Sequence, residues 1–426
     1  MKLNKPSLTG AFNIVIFCLA LTGLSATAQA ALVDEGSAGG NNCTPSSVND
    51  AGVEVGTCTD SSTNTSVAYI AATSGSEVDL APLVTGSACM AGAINHVALA
   101  SATVVGRCQN ANGVWNAVTW QASSPSTTPL QLAPLTGLLG LGADVRTSAS
   151  GVNLAGIVVG DSISGNGPHT PVYWATGSAS AVPLAGVRVL LGLLSTDPIN
   201  CAVSDISDST PAVVLANCPS GSSGLGKPIS LVWTSLSSNA VTVTLPAGAR
   251  YCEVGQVNVL GNIVGDCTFA TSTHQTTFWS SVSATPIVMS SVAVGGISQI
   301  STHNGAVDMN ASGHIACNFR NTSGETEACF WDTTTTTGTA LAPISGAVRD
   351  AAVAIGNNDT VLVNSETATG SLHQSHVLVG GTAVTDDGTL SGGVNSAGSA
   401  LSPDGHSAAG ISETTGEIVD ADSEAL

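Results

Sequence analysis

Residues 257–265 read VNVLGNIVG: an apolar residue, Asn258, two spacers, Gly261, three spacers and Gly265. The same word recurs as VNDAGVEVG at residues 48–56 and VNLAGIVVG at 152–160. It returns as MNASGHIAC at 309–317, where Cys317 replaces the closing glycine. Looser copies lie at residues 94–106, 204–216, 356–364 and 401–410. The asparagine position is then filled by Asn49, Asn95, Asn153, Asp205, Asn258, Asn310, Asn357 and Ser402, at intervals of 45 to 58 residues. A period of this length marks stacked copies of one supersecondary unit, none of which buries its hydrophobic face alone.

A tryptophan keeps step with the motif. Trp120, Trp174, Trp279 and Trp331 follow Gly106, Gly160, Gly265 and Cys317 at one fixed spacing; Trp233 plays the part in the fourth copy after an insertion, and Ile70, beside Tyr69, in the first. The flanking residues alternate or run apolar and β-branched, as in VYW at 172–174 and LVW at 231–233, bounded by Gly, Ser, Asn and Pro. These are strand signals, and no window carries a helical period. Each unit reads as four strands: one entering the Asn-x-x-Gly turn, one leaving it, one with the tryptophan and a short fourth. That is the blade of an all-β propeller, which hides its sheet edges by radial repetition. Eight copies predict eight blades. Seven is the alternative, because little chain follows the last motif, and eight requires the segment near residues 31–47 to complete the final blade.

The Val-Asn-x-x-Gly-x-Val-Val-Gly word followed by a Tyr/Phe/Val-Trp strand resembles the HAF-type extracellular repeat of bacterial secreted proteins. Ser402-Pro403-Asp404-Gly405 similarly resembles the turn of many bacterial propellers. The resemblance covers most of residues 43–412 and implies a propeller-like extracellular repeat. It brings no catalytic residues to transfer, and a fold does not assign a chemistry.

Residues 1–30 read as a secretory signal peptide, with Lys2 and Lys5 at the start, an apolar stretch over 11–24 and Ala28-Gln29-Ala30 as the cleavage site. The rest, residues 31–426, reads as a single domain with a short acidic C-terminal tail, exported to the periplasm or the medium. Apart from Cys18, in the apolar stretch, ten cysteines fall into near neighbours about a hairpin turn: Cys43 and Cys58, Cys89 and Cys108, Cys201 and Cys218, Cys252 and Cys267, Cys317 and Cys329. Equal offset from a turn places two residues opposite each other, so each pair is expected as a disulfide.

Without Lys2 and Lys5, seven basic residues face 29 acidic ones, a net charge of −22. Such a surface repels nucleic acid and anionic membranes, and no later segment is long and apolar enough to insert in a membrane.

Chemistry-bearing residues are sparse. Gly160-Asp161-Ser162 resembles the nucleophile block of GDSL-type esterases, but no helix follows it and no Asp-x-x-His stands downstream, so the repeat itself explains the word. His373 and His376 are three apart on a strand and face opposite ways, which argues against a metal site. Asp420, Asp422 and Glu424 lack the glycine and closing glutamate of a calcium loop. The tryptophans read as filler between blades, with off-register Trp115 as the candidate exposed aromatic.

Four of the six arginines, Arg146, Arg188, Arg250 and Arg349, fall where one unit passes into the next, and for Arg146, Arg250 and Arg349 repeat symmetry predicts one rim of the channel. They would either hold an anionic group bidentately or pair with carboxylates in their own loops. The residues thus point to a non-catalytic binding or surface scaffold without cofactor or metal, its partner an extracellular protein or polysaccharide. The alternative is a hydrolase or lyase whose axial funnel uses the arginines to hold an anionic substrate.

Overall fold

A computed structural model describes residues 32–36, 42–72, 77–136, 143–165, 167–186, 200–219, 228–269, 273–301, 303–380, 384–414 and 417–424. The expected signal segment, residues 1–30, and Arg188 lie outside the described residues. All described regular structure is β: the strands form eight sheets, seven of four strands and one of six. The inner strands are Asn42–Val48, Cys89–Ile94, Arg146–Val152, Ala202–Ile206, Ala249–Val257, Asn304–Met309, Ala347–Ile355 and Ser396–Leu401, and they define blades one to eight. Each inner strand packs on the strands of the blade before it, and blade one packs on blade eight, so the ring closes.

Blade eight shows how. Its inner strand is followed by Ser407–Thr414 and Glu417–Glu424, and Leu32–Gly36 adds the outermost strand, pairing Leu32 with Ser423. The C-terminal segment is therefore a strand, not an acidic tail.

The motif glycines serve two backbone needs. Gly52, Gly156, Gly261 and Gly313 take positive φ in the turn, where a side chain is strained. Every inner strand carries a bulge just before the turn, between Pro45 and Ser47 in blade one and at the matching place in the seven others. The closing glycine lies against that kinked strand: a Cβ on Gly160 would collide with the Ser148 carbonyl, and one on Gly265 with that of Glu253.

The motif asparagine caps its own turn and clasps the next blade. Asn258 Oδ1 accepts the N–H groups of Leu260 and Asn262 (both 3.0 Å), while Nδ2 donates to Asn310 O (3.1 Å). Asn49, Asn95, Asn153 and Asn310 make the same reach, to Asn95, Asn153, Ser207 and Gly356. The register corrects two expectations: the fourth and seventh copies place Ser207 and Gly356 at the asparagine position, not Asp205 and Asn357. Six residues before it, in or beside the inner strand, stand Cys43, Cys89, Thr147, Cys201, Cys252, Asn304, Asp350 and Ser396 in blade order.

All five expected disulfides are present, with Cα separations of 3.9, 4.1, 4.0, 4.0 and 4.8 Å in chain order. Four join the inner strand to the second, and Cys317–Cys329 joins the second to the third in blade six. The tryptophans of blades two to six are buried. Trp120, Trp174, Trp233 and Trp279 donate their indole N–H to carbonyls of the preceding blade, those of Ala81, Ala133, Ala185 and Thr244, at 2.7 to 3.0 Å. They are interblade filler with a polar anchor. In blade one the register puts Ala71, not Ile70, at the tryptophan position, since Ala71 pairs with Glu54 as Trp279 pairs with Ile263. Trp115 is half-buried, with the Arg107 guanidinium 5.0 Å over its ring.

Candidate functional site

The turns that end the inner strands surround one end of the central channel. There a cavity of about 540 Å³ is lined from all eight blades, from Ser47 of blade one to Pro403 of blade eight. Its ionisable lining is His96, Asp50, Asp205, Asp208 and Asp308, with no arginine or lysine.

The bulge selects what faces this mouth. The residue two before the motif position is Ser47, Ala93, Gly151, Asp205, Gln256, Asp308, Ala354 or Ala400, so three successive blades, four to six, present long polar side chains. Asp205 and Asp308 each bridge blades: Asp205 accepts N–H groups from Ile206 and Val257 (both 2.8 Å), and Asp308 from Met309 (2.8 Å) and Ile355 (2.9 Å). Protein encloses both carboxylates except on the cavity side, and that burial governs their protonation. It pushes Asp205 up to about 7 against the two N–H bonds, with Asp308 and Asp208 adding repulsion. Burial also raises Asp308, opposed by its N–H donors and Gln256. His96 Nδ1 and Gln256 Oε1 are buried without a hydrogen-bond partner among the described residues. The mouth thus offers one carboxylate, Asp205, that ionises near neutrality, and polar atoms left to pair.

The arginines belong to the other end. Arg146 opens the strand that Val152 closes, six residues or about 20 Å away, and Arg250 and Arg349 stand near the start of theirs. They occupy blades three, five and seven, never adjacent ones, and none lines the mouth. Arg349 is tied to Glu366 (2.9 Å) and Glu325 (3.7 Å), the loop-anchor outcome; Arg146 and Arg250 form no ion pair among the described residues. The structure does not bring these residues to a common cavity, and sequence reasoning overlooked the mouth carboxylates.

No catalytic relay is assembled among the described residues. Ser162 Oγ donates to Asp144 (2.6 Å), while Asp161 holds His169 (3.2 Å) and accepts Val203 N (3.0 Å) from blade four. His373 and His376 pair separately with Asp386 (3.1 Å) and Asp387 (2.7 Å). No hydroxyl or thiol is hydrogen-bonded to any of the carboxylate-held histidines 169, 314, 373 and 376. The described grouping within reach of one ion is Cys43, Cys58 and Glu77, whose cysteines are oxidised and offer no thiolate.

The chain matches no protein-family model and no curated protein. Among solved structures it is similar to the β-propeller domain of the Trilobed protease from Pyrococcus furiosus (8% identity, 85% of this chain and 99% of that chain, TM-score 0.49). It is also similar to a Mycobacterium tuberculosis puromycin-hydrolyzing peptidase (10% identity, 92% and 56%, TM-score 0.46). A third is the fucose-specific lectin from Aleuria aurantia (14% identity, 70% and 96%, TM-score 0.34). At such identity the likeness concerns the arrangement of strands and carries no activity across. The chain is a disulfide-stapled all-β propeller. Its five bridges suit an oxidising compartment, and no described helix is long and apolar enough to cross a membrane.

Proposed function

We propose that this protein is an exported, non-catalytic binding module of the HAF-repeat kind, whose axial mouth takes a positively charged segment of an extracellular partner. One observation carries the reading: eight blades converge on a single cavity whose formal charges are all carboxylates, Asp50, Asp205, Asp208 and Asp308. The acidic body draws a cation toward it. Inside, the orphan acceptor Gln256 Oε1 and the carboxylates of Asp205 and Asp308 receive ammonium or guanidinium donors, which pair best with ionised acceptors.

Titration calorimetry with trilysine, a neutral oligosaccharide and triglutamate tests this. Trilysine binds, more tightly at pH 8 than at pH 5.5 because Asp205, held near 7, ionises between the two. Asp205→Asn combined with Asp308→Asn weakens binding at least about tenfold, the loss of one charge-assisted bond or more. Equal affinity of wild type and double variant, or preference for triglutamate, refutes the mouth as the site. Turnover of any bound probe refutes the non-catalytic reading.

A further inference from the structure

Most blades end bluntly. The outer strands of blades one to five, Val78–Asp79, Leu130–Gln131, Ala181–Pro183, Val241–Thr242 and Ile287–Val288, have two or three residues, too few to template another chain. Three blades end in longer strands. The outer strand of blade seven, Val384–Gly388, carries Asp386 and Asp387, and that of blade eight, Leu32–Gly36, carries Asp34 and Glu35. Charge on an edge opposes pairing with another edge.

Blade six is the exception. An added hairpin, Ser291–Val294 and Ile297–Ile300, extends it to six strands by laying Ser291–Val294 parallel to Thr337–Ala340. The new outer strand reads Ile-Ser-Gln-Ile, with Ile297 72% and Ile300 87% exposed, among the most exposed large apolar residues described. Val294 and Ile297 flank a Gly295-Gly296 turn with both φ positive, so they form a hydrogen-bonded pair, as does Ser290 with Ser301 (3.0 Å). Alternation then turns the N–H and C=O of Ser298 and Ile300 outward. No side chain between Asp266 and Asp308 carries a formal charge, the longest such stretch in a chain of net charge −20. The one formal charge that shares a cavity with Ile300 is Arg320.

We propose that this edge is a self-association surface, paired antiparallel with the same edge of a second copy of the chain. A two-fold axis at Gln299 sets Ser298 opposite Ile300 of the second copy and Ile300 opposite its Ser298, giving four inter-chain hydrogen bonds and covering both Ile300 side chains. The charge pattern selects the occupant. Two acidic bodies repel wherever they meet through their general surface, and this neutral, self-complementary edge is where they can approach. A basic partner, by contrast, is drawn to the acidic surface elsewhere. The contact is small, below the roughly 1,200 Å² of a standard interface, so the dimer is weak, with Kd on the order of 10 to 100 μM.

Sedimentation velocity from about 5 to about 500 μM reads the equilibrium across that range. A dimer forms at the upper concentrations and tightens a few-fold as salt rises from about 0.02 to about 0.5 M, because screening relieves repulsion between the bodies. Ser298→Pro removes an outward N–H while sparing the hairpin ladder, and Ile300→Lys places two new cations together beside Arg320. Each abolishes the dimer with an unchanged melting temperature. A monomer at every concentration overturns the proposal, including the case where the edge takes a strand from another protein. So does a dimer that survives both folded variants or that weakens with salt.

Discussion

Blades five and seven have the same inner strand length and the same double register shift, yet they are secured by different means, within the blade and against their neighbours. In blade five the seat six residues before the motif is Cys252, bonded to Cys267; the third strand carries buried Trp279, and Asn258 clasps blade six. Blade seven has Asp350, Val377 and Gly356 at the three places. In blades three, six and eight the seat holds Thr147, Asn304 or Ser396, whose side-chain oxygen accepts an N–H from the preceding blade, that of Ala117 (2.9 Å), Thr276 (2.7 Å) or Gln374 (3.0 Å). Asp350 accepts the Ala328 N–H likewise, but its Oδ2 is buried with no partner among the described residues. One backbone thus tolerates at one seat a disulfide that ties the blade to itself, or a neutral acceptor or a carboxylic acid that reaches the preceding blade.

The largest test of that contrast is Trp279→Ala, expected to cost about 3 to 5 kcal/mol in denaturant unfolding, against about 1 kcal/mol for Val377→Ala. Equal costs would mean the tryptophans fill no more space than valine does. Replacing Cys252 and Cys267 together by serine should cost about 3 kcal/mol, as expected for a loop of this length. If the variant melts with wild type, the bridge is an ornament.

Asp350→Asn should stabilise by about 2 kcal/mol at pH 8, since asparagine keeps the acceptor and adds a donor, as Asn304 does toward Met289 O (3.2 Å). Burial, with a smaller contribution from Glu327, pushes Asp350 up to about 7, above its unfolded value of 3.8. The folded state holds that proton longer, so this group's contribution is full below about pH 4 and is lost as pH rises to about 7. The variant's advantage must therefore vanish near pH 4, and a gain independent of pH breaks the assignment. A smaller effect is Asn258→Ala, about 1 to 2 kcal/mol for a lost turn cap and clasp. Asn358→Ala, whose Nδ2 reaches only Gly405 O at 3.3 Å, should cost about half as much, measured by the same unfolding.

The periodic parts of this molecule were legible because each copy repeats its own reason: Asn258 recurs where a turn needs a cap, Trp279 where a seam needs filling, Cys252 and Cys267 where two strands face. The mouth was not, because Asp205, Gln256 and Asp308 come from three copies and differ from their equivalents Ser47, Ala93 and Gly151. Aligning the position two before each motif asparagine would have paired Gln256 with Asp308, but the fourth copy, read with Asp205 at the asparagine place, would have offered Val203 instead. Arg146, Arg250 and Arg349, expected in the passage between units, stand in the first residues of inner strands, and sequence gives no sign of which channel end holds the cavity. The extra hairpin of blade six stayed hidden because Gly295-Gly296 lies in an apolar run like any other blade's.

The pairing of Leu32 with Ser423 gives this ring a last moment. Seven sheets can assemble from local stretches of chain, and the eighth cannot, because its outer strand waits for partners at the far end of the sequence. Closing so long a loop is slow. A chain that emerges amino end first therefore carries one unclaimed strand until Glu417–Glu424 follows, and only then does the ring fasten.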